Sequence, residues 1–178
     1  IPEVWAELAA AGIHHFKCAT TREADVLGKT LAECGVEESD VLVAYPHVGP
    51  ALTQLGKIAE RHPQTRYSVL VEEVSLLASV PDSVEVFVDL NPGMNRTGVP
   101  LSNTERILEL AQAADARFRG LHFYDGHQHE PDLEERERAI HAGYDELLAL
   151  RELVLSAGTP VDEVITSGTP ALLHAVNY

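Results

Sequence analysis

The turn Thr166-Ser167-Gly168-Thr169-Pro170, close to the end of the chain, has the composition best suited to ligand binding. Glycine lets a backbone approach a ligand closely, hydroxyl groups donate hydrogen bonds, and a following helix would present its positive end. The turn therefore fits an anion such as phosphate. The other interpretation is an ordinary serine or threonine helix cap with proline in the first turn. The turn by itself leaves both interpretations open.

A second candidate surrounds Arg96, in the segment Asp89-Leu90-Asn91-Pro92-Gly93-Met94-Asn95-Arg96-Thr97-Gly98. A planar and always charged guanidinium on a glycine-shaped loop suits a fixed bond to a phenolate or a carboxylate. The alternative is a surface loop in which Arg96 merely pairs with Asp89.

A third candidate is the segment Tyr124-Asp125-Gly126-His127-Gln128-His129, which crowds titratable groups together. Asp125, His127 and His129 could be metal ligands, because alternate residues of an extended segment face the same way. The commoner arrangement is a hydrogen-bonded wall in which tyrosine and histidine orient a ligand ring or transfer protons. Of the three lysines, only Lys17 lies on a predicted strand, so it is the local candidate for a Schiff base.

Apolar runs that alternate with amphipathic stretches predict a parallel sheet with crossover helices. The predicted strands are Ile13–Ala19, Val41–Ala44, Tyr67–Val71, Val84–Leu90, Phe118–Tyr124 and Glu163–Thr166. The predicted helices are Pro2–Ala11, Thr21–Glu33, Pro50–Arg61, Glu73–Ser79, Asn103–Ala114 and Leu133–Ser156, with the first turns of another at the end of the chain.

The polar strand ends favour a (β/α)₈ TIM barrel over an open doubly wound sheet, which concentrates polar groups at one switch point. Besides the three candidate segments, Tyr45-Pro46-His47 and Glu72 follow strands. All would meet on one rim of a barrel, and a turn late in a barrel is a recurrent phosphate site. Six strands cannot close an eight-stranded barrel. We therefore expect one partial barrel domain over residues 1–178, with missing strands beyond Ile1 and Tyr178.

Composition excludes several classes of function. Asp and Glu outnumber Lys and Arg by 28 to 13, and the formal net charge of −15 disfavours nucleic acid. No apolar run has the length of a membrane span, and the first residues do not resemble a signal peptide, so we expect a cytoplasmic protein without a membrane partner. Cys18 and Cys34 lack metal-type spacing and are expected to be buried or inert.

Four motifs occur in order along the chain. They are Phe16-Lys17-Cys18-Ala19-Thr20 followed by Arg22-Glu23-Ala24, Ala44-Tyr45-Pro46-His47-Val48-Gly49-Pro50, Gly93-Met94-Asn95-Arg96-Thr97-Gly98 and Tyr124-Asp125-Gly126-His127. In order and spacing they resemble the D-threonine aldolase family along nearly all of the chain. The resemblance implies a barrel similar to that of alanine racemase, with pyridoxal phosphate at the carboxyl ends of the strands and a separate β domain after the barrel.

The resemblance also implies contacts with the cofactor. Arg96 would bond the phenolic oxygen, and Tyr124 would lie against or near the pyridine ring. Ser167, Gly168 and Thr169 would hold the phosphate, at a position where the family usually has a more glycine-rich loop.

His127 and Tyr124 are the candidate catalytic residues. The Schiff-base lysine of the family lies on the first strand, just before the position of Ile1, and we expect it there, with Lys17 as the weaker alternative. Some family members hold a divalent metal through residues of the later β domain. We therefore expect no metal ligands in this chain.

Retro-aldol cleavage of a β-hydroxy-D-amino acid to glycine and an aldehyde is the expected reaction, carried out by a homodimer. A D-serine dehydratase or an amino acid racemase could use the same rim, and the motifs do not separate these reactions. Two other classes stay open: a metal-dependent barrel hydrolase or aldolase that uses Asp125, His127 and His129, and a non-catalytic pyridoxal phosphate carrier.

Overall fold

The computed structural model describes residues 1–178, and the chain divides into two compact units, residues 1–86 and residues 87–178. In the first unit, helices alternate with strands. The helices are α1 (Pro2–Ala10), α2 (Thr21–Glu33), α3 (Pro50–Arg61) and α4 (Val74–Leu77), and the strands are β1 (His15–Cys18), β2 (Ser39–Pro46) and β3 (Thr65–Val71). Strand β4 (Val84–Asn91) begins in this unit and continues in the second.

The strands of the first unit run parallel in the order β1-β2-β3. Val41 of β2 lies opposite Phe16 on one side and Tyr67 on the other. Val41, Leu42 and Val43 are all buried. Successive side chains of a strand point to opposite faces, so both faces of β2 are covered, as expected for a parallel sheet.

In the second unit, the later strands alternate with a long helix and shorter helices. The strands are β5 (Val99–Pro100), β6 (Phe118–Phe123) and β7 (Glu163–Ile165), and the helices are α5 (Thr104–Ala114), a 3₁₀ turn (Asp115–Arg117), α6 (Leu133–Ser156) and α7 (Leu172–Val176). Strand β4 is followed in the sheet by β6 and then β7, and β5 pairs with β4 off this path. The β4–β5 and β6–β7 pairs are parallel.

Helix α6 packs its buried stripe on β6. Asp132 caps its first turn by accepting a hydrogen bond from the Glu135 amide. The buried residues are Ile140, Tyr144, Leu147, Leu150 and Val154, spaced three to four apart as one helical face requires. Phe123 of β6 meets Tyr144 edge to face, with ring centroids 5.9 Å apart. None of the helices combines the length and the hydrophobicity that a membrane span requires.

The predicted strands and helices are all present, and the bounds of α2, α3 and α6 are those expected. The structure adds β5 and the 3₁₀ turn, and β1 is shorter than expected. Both thiols were expected to be buried or inert; Cys34 is not buried, because it lies at the exposed carboxyl cap of α2. Cys18 is half-buried, and burial raises the pKa of its thiol to about 12.

Candidate active site

The loop after β4 is shaped by the side chain of Asn91. Its oxygen accepts hydrogen bonds from the Gly93 and Asn95 amides at 3.1 and 2.9 Å, and its nitrogen donates to the Asn95 side chain at 3.1 Å. The backbone of Asn95 is left-handed, with φ of 55°, a conformation that asparagine tolerates better than most residues. This tight, self-bonded loop presents Arg96 directly after Asn95.

Arg96 lies over the aromatic ring of Tyr124, which follows β6. The guanidinium carbon is 4.8 Å from the ring centroid, within the range of a cation–π interaction. Gly126 and Gly168 border the same ring. A Cβ atom at Gly126 would lie 2.5 Å from Cε1 of Tyr124, and one at Gly168 would lie 3.3 Å from Cε2. The aromatic ring therefore requires a glycine at position 126 and favours one at 168.

The turn after β7 is held by a chain of hydrogen bonds. The Gly168 amide donates to Oδ1 of Asp125 at 2.7 Å, and the Tyr144 hydroxyl donates to Oδ2 of the same carboxylate at 2.9 Å. The Ser167 hydroxyl lies 3.1 Å from the Tyr144 hydroxyl and 3.2 Å from that of Thr166. Asp125 is only 2% exposed, so these two donors satisfy a carboxylate that burial would otherwise destabilise.

Burial and the hydrogen bonds of this turn together shift the pKa of Tyr144. Burial raises the pKa of its hydroxyl, the hydrogen bond with Ser167 opposes that rise, and the bond to Asp125 adds to it. Tyr144 therefore stays protonated at neutral pH and acts as a donor to Asp125.

A second buried polar pair joins β4 to β6. Nδ1 of His122 donates to Oδ1 of Asp89 at 2.7 Å, and both side chains are at most 2% exposed. The other oxygen of Asp89, Oδ2, is buried without a hydrogen-bond partner. Asp89 also lines a small recess with Arg96 and Tyr124.

His127 lies against the loop after β4. A Cβ atom at Gly93 would lie 3.1 Å from Nε2 of His127, which is also 3.2 Å from the Gln128 side-chain nitrogen. Nδ1 of His127 is buried and has no hydrogen-bond partner. A cleft of about 150 Å³ opens beside it, lined in part by Phe123, Asp125, His127, Gln128, Ile140 and Glu146.

The three candidate segments of the second unit thus meet around Tyr124, as the sequence predicts. Arg96 lies over Tyr124 and Gly168 borders the same ring. Ser167 precedes Gly168 and bonds Thr166 and Tyr144, whereas Thr169 is exposed. The roles of these residues toward a ligand stay predictions. Lys17, the local Schiff-base alternative, is exposed on β1 in the first unit, where His47 and Glu72 also lie.

The alternative metal site at Asp125, His127 and His129 is not formed. Both oxygens of Asp125 accept hydrogen bonds from protein donors, and Nδ1 of His129 bonds the carbonyl of His127. No group of three metal-ligating side chains converges in the structure. The alternation argument was wrong because the segment turns at Gly126 instead of staying extended.

Sequence reasoning missed Tyr144 and His122. Tyr144 could have been suspected, because it falls on the apolar stripe of α6 with Ile140 and Leu147, where a hydroxyl must find a partner. His122 precedes Tyr124 by two residues, so the alternation of a strand puts both on one face. No local signal indicated that Asp89 would be its partner.

Comparison with known proteins decides the family. The model of the alanine racemase N-terminal domain matches residues 1–178. The chain belongs to this family. The predicted fold class, an incomplete (β/α)₈ barrel of the alanine racemase type with six principal parallel strands, is thereby confirmed. No curated protein sequence matches the chain significantly.

Solved structures similar to this alanine racemase N-terminal domain include several enzymes. The D-threonine aldolase of Filomicrobium marinum shares 25% identity at a TM-score of 0.83, over 97% of this chain and 47% of that one. The alanine racemase of Clostridium difficile 630 shares 15% identity at a TM-score of 0.68, over 98% of this chain and 44% of that one. The D-threo-3-hydroxyaspartate dehydratase of Delftia sp. HT23 shares 17% identity at a TM-score of 0.61, over 97% of this chain and 54% of that one. The chain thus spans about half the length of these structures.

Members of the alanine racemase family use pyridoxal phosphate, and the residues of this domain fit such a group in their chemistry. A fixed guanidinium at Arg96 suits an ionised phenolic oxygen, and the ring of Tyr124 offers an aromatic surface beside it. Hydroxyl groups of the turn at Ser167 suit a phosphate. The Gly168 amide is already bonded to Asp125, so a phosphate would depend on the other groups of the turn.

Proposed function

We propose that this chain is the barrel part of a pyridoxal phosphate-dependent lyase that cleaves β-hydroxy-D-amino acids to glycine and an aldehyde. One observation carries the proposal: Arg96 and the turn at Ser167 and Gly168 flank the same aromatic ring, that of Tyr124. The phenolic oxygen of the cofactor would bind Arg96, and its phosphate would bind the turn. The similarity to a D-threonine aldolase at 25% identity favours the retro-aldol reaction among those of the family.

The residues of the domain would divide the work of binding. Arg96 would bond the phenolic oxygen, and its position over Tyr124 would keep the guanidinium oriented. Tyr124 would limit the tilt of the cofactor ring. The hydroxyl of Thr169 and the backbone of the turn at Ser167 would hold the phosphate, next to the closely packed backbone at Gly168.

Bound pyridoxal phosphate supplies an electron-withdrawing ring that takes up the electron pair released when a bond at the amino acid α-carbon breaks. In a retro-aldol cleavage the Cα–Cβ bond breaks, the β-hydroxyl loses its proton to become an aldehyde, and the α-carbon gains a proton to become glycine. We assign His127, with its unpartnered buried Nδ1, and Tyr124 to hold protons during this exchange.

The proposal is tested with the full-length protein, pyridoxal phosphate and D-threonine. Release of glycine and acetaldehyde in equal amounts is the expected result, and L-threonine serves as the control substrate. Formation of 2-oxobutanoate and ammonia would instead establish a dehydratase, and inversion at the α-carbon without cleavage would establish a racemase. A Schiff-base absorbance without turnover of any amino acid would establish a non-catalytic carrier, and no absorbance would reject the cofactor.

We further propose that the full-length protein is a homodimer. Light scattering coupled to size-exclusion chromatography tests this directly, and a monomeric mass at working concentration contradicts it. We also propose, from the resemblance to the D-threonine aldolase family, that any divalent metal would be held by groups outside residues 1–178.

A further inference from the structure

Five residues form one hydrogen-bonded chain from helix α6 to the turn after β7. We call this chain the Tyr144 network. Its members, in bonding order, are Thr166, Ser167, Tyr144, Asp125 and Gly168. Tyr144 is the only member that lies on a helix, and its ring is fixed by edge contact with Phe123.

The directions of these bonds follow from the number of protons available. The Tyr144 hydroxyl has one proton, and the Asp125 carboxylate can only accept, so Tyr144 must donate to Asp125. Ser167 must therefore donate its own proton to the Tyr144 oxygen at 3.1 Å. In the bond with Thr166, the Ser167 oxygen is therefore the acceptor. The proton of Ser167 is directed at Tyr144 and away from the solvent side of the turn.

The network also holds a strained backbone. Ser167 has a φ of 76°, which is a left-handed backbone conformation. This conformation is unfavourable for any residue that has a Cβ atom. The bond from the Gly168 amide to Asp125 keeps the next residue in place, with its Cα hydrogens against the ring of Tyr124. The carboxylate of Asp125 is in turn oriented by the hydroxyl of Tyr144.

We propose that Tyr144 is a positioning residue that, through Asp125, sets the turn 166–169 against Tyr124 and thereby sets the affinity of the site for the phosphate group of the cofactor. This inference rests on the proposed function. Without the Tyr144 hydroxyl, one buried oxygen of Asp125 loses its donor, and the carboxylate is no longer held in its orientation. The bond to the Gly168 amide then weakens, and the strained turn relaxes.

The test compares the affinities of the full-length protein for pyridoxal phosphate and for pyridoxal, which lacks the phosphate. Both are measured by titration of the Schiff-base absorbance. In Tyr144→Phe the ratio of the two affinities should fall about tenfold, the effect of losing one hydrogen bond to a carboxylate. Tyr178→Phe is the matched control, since it removes a hydroxyl from a ring that packs on Tyr144 but bonds Asp145, outside the network.

A second variant distinguishes positioning from a merely structural role. In Asp125→Asn the amide oxygen can still accept a hydrogen bond from the Gly168 amide. The amide nitrogen donates to Tyr144, which reverses the direction of the hydrogen bonds between Tyr144 and its neighbours. Tyr144 would then donate to Ser167, so Gly168 and Ser167 both keep a partner in the network. The affinity ratio of this variant should equal or exceed that of the unaltered protein, also because a negative charge near the phosphate is gone.

The possible outcomes separate the two proposals. An unchanged ratio in Tyr144→Phe, or a fall in Asp125→Asn as large as in Tyr144→Phe, overturns the positioning role. A fall confined to Tyr144→Phe supports it. If Tyr144→Phe does not fold, a fall of about tenfold in Asp125→Asn overturns the positioning role, and an equal or higher ratio supports it. If the unaltered protein binds neither pyridoxal nor pyridoxal phosphate, the result rejects the proposed function itself, and with it the positioning role.

Discussion

The guanidinium of Arg96 stacks on the ring of Tyr124, with 4.8 Å between the guanidinium carbon and the ring centroid. The two residues come from different βα turns, one after β4 and one after β6. Their contact brings a permanent positive charge next to an aromatic face, and the turn at Gly168 borders the same ring. This arrangement is the basis of the first two predictions.

Arg96→Lys should weaken cofactor binding while leaving the fold intact. A lysine keeps the charge but loses the planar group that stacks on Tyr124 and offers parallel donors to an oxygen. The expected loss is about 10- to 100-fold in affinity for pyridoxal phosphate, as for a hydrogen bond to a charged group. Titration of the Schiff-base absorbance measures it. Arg151→Lys, in a surface pair with Glu152, is the control and should change nothing.

Gly126→Ala should destabilise the protein by about 1–3 kcal/mol, because its Cβ atom would lie 2.5 Å from the Tyr124 ring. Gly168→Ala should cost less, since the corresponding distance is 3.3 Å. Urea denaturation gives both values. The double variant Gly126→Ala with Tyr124→Ala removes the clash, so the two substitutions should be strongly non-additive. Simple additivity would show that the ring does not set the requirement for glycine.

Thr20 and Glu23 cap helix α2 and should make its stability depend on pH. The Ala19 amide, then the Thr20 hydroxyl and amide, donate to the Glu23 carboxylate at 3.0 Å and lower its pKa from the ordinary 4.5. A lowered folded-state pKa means that the stabilisation is present above pH 4.5 and is lost as the pH falls through the folded value. Thermal unfolding between pH 7 and pH 3 should show this loss.

Glu23→Gln is the matched variant, because its amide oxygen accepts the same bonds without titrating. Its melting temperature should therefore vary less over that pH range than that of the unaltered protein. Thr20→Ala should cost about 1 kcal/mol at neutral pH. Parallel pH profiles for Glu23→Gln and the unaltered protein would contradict the assignment of the pH dependence to this cap.

Cys18 should resist alkylation at pH 8, whereas Cys34 should react readily. Burial, together with the nearby Glu23 charge, raises the pKa of Cys18 to about 12, so about one part in 10⁴ of the thiol is the reactive thiolate at pH 8. Cys34 is exposed at the end of α2. Mass spectrometry of peptides after timed treatment with iodoacetamide measures both rates. Equal rates would indicate that Cys18 is not buried in solution.

Much of the fold could be predicted from local patterns. The long helix α6 follows from an acidic cap at Asp132 and an apolar residue every three to four positions, and its bounds were predicted correctly. Continuous apolar runs such as that of β4 predicted strands buried on both faces. The two-residue strand β5 was missed because Val99 and Pro100 carry no strand pattern of their own, and β4 supplies their partner.

The candidate site could be predicted only in outline. Glycine, arginine and hydroxyl residues at strand ends indicated which turns bind a ligand, and Arg96, Tyr124 and the turn at Ser167 do meet. The same reasoning offered Asp125 as a metal ligand, whereas the folded protein uses its carboxylate to hold Gly168 and Tyr144. A residue type states which bonds a side chain can make, and its neighbours decide which it does make.

By itself, the sequence determined where helices and strands form, which turns carry polar groups, and which family the motifs resemble, because these depend on residues close together in the chain. Only the tertiary structure decided the partnerships of Asp125 with Gly168, 43 residues away, and of His122 with Asp89, 33 residues away. The register of neighbouring strands and the packing of α6 decide which of these distant residues come close together in space. A buried polar group must then bond whichever partner the fold brings within reach.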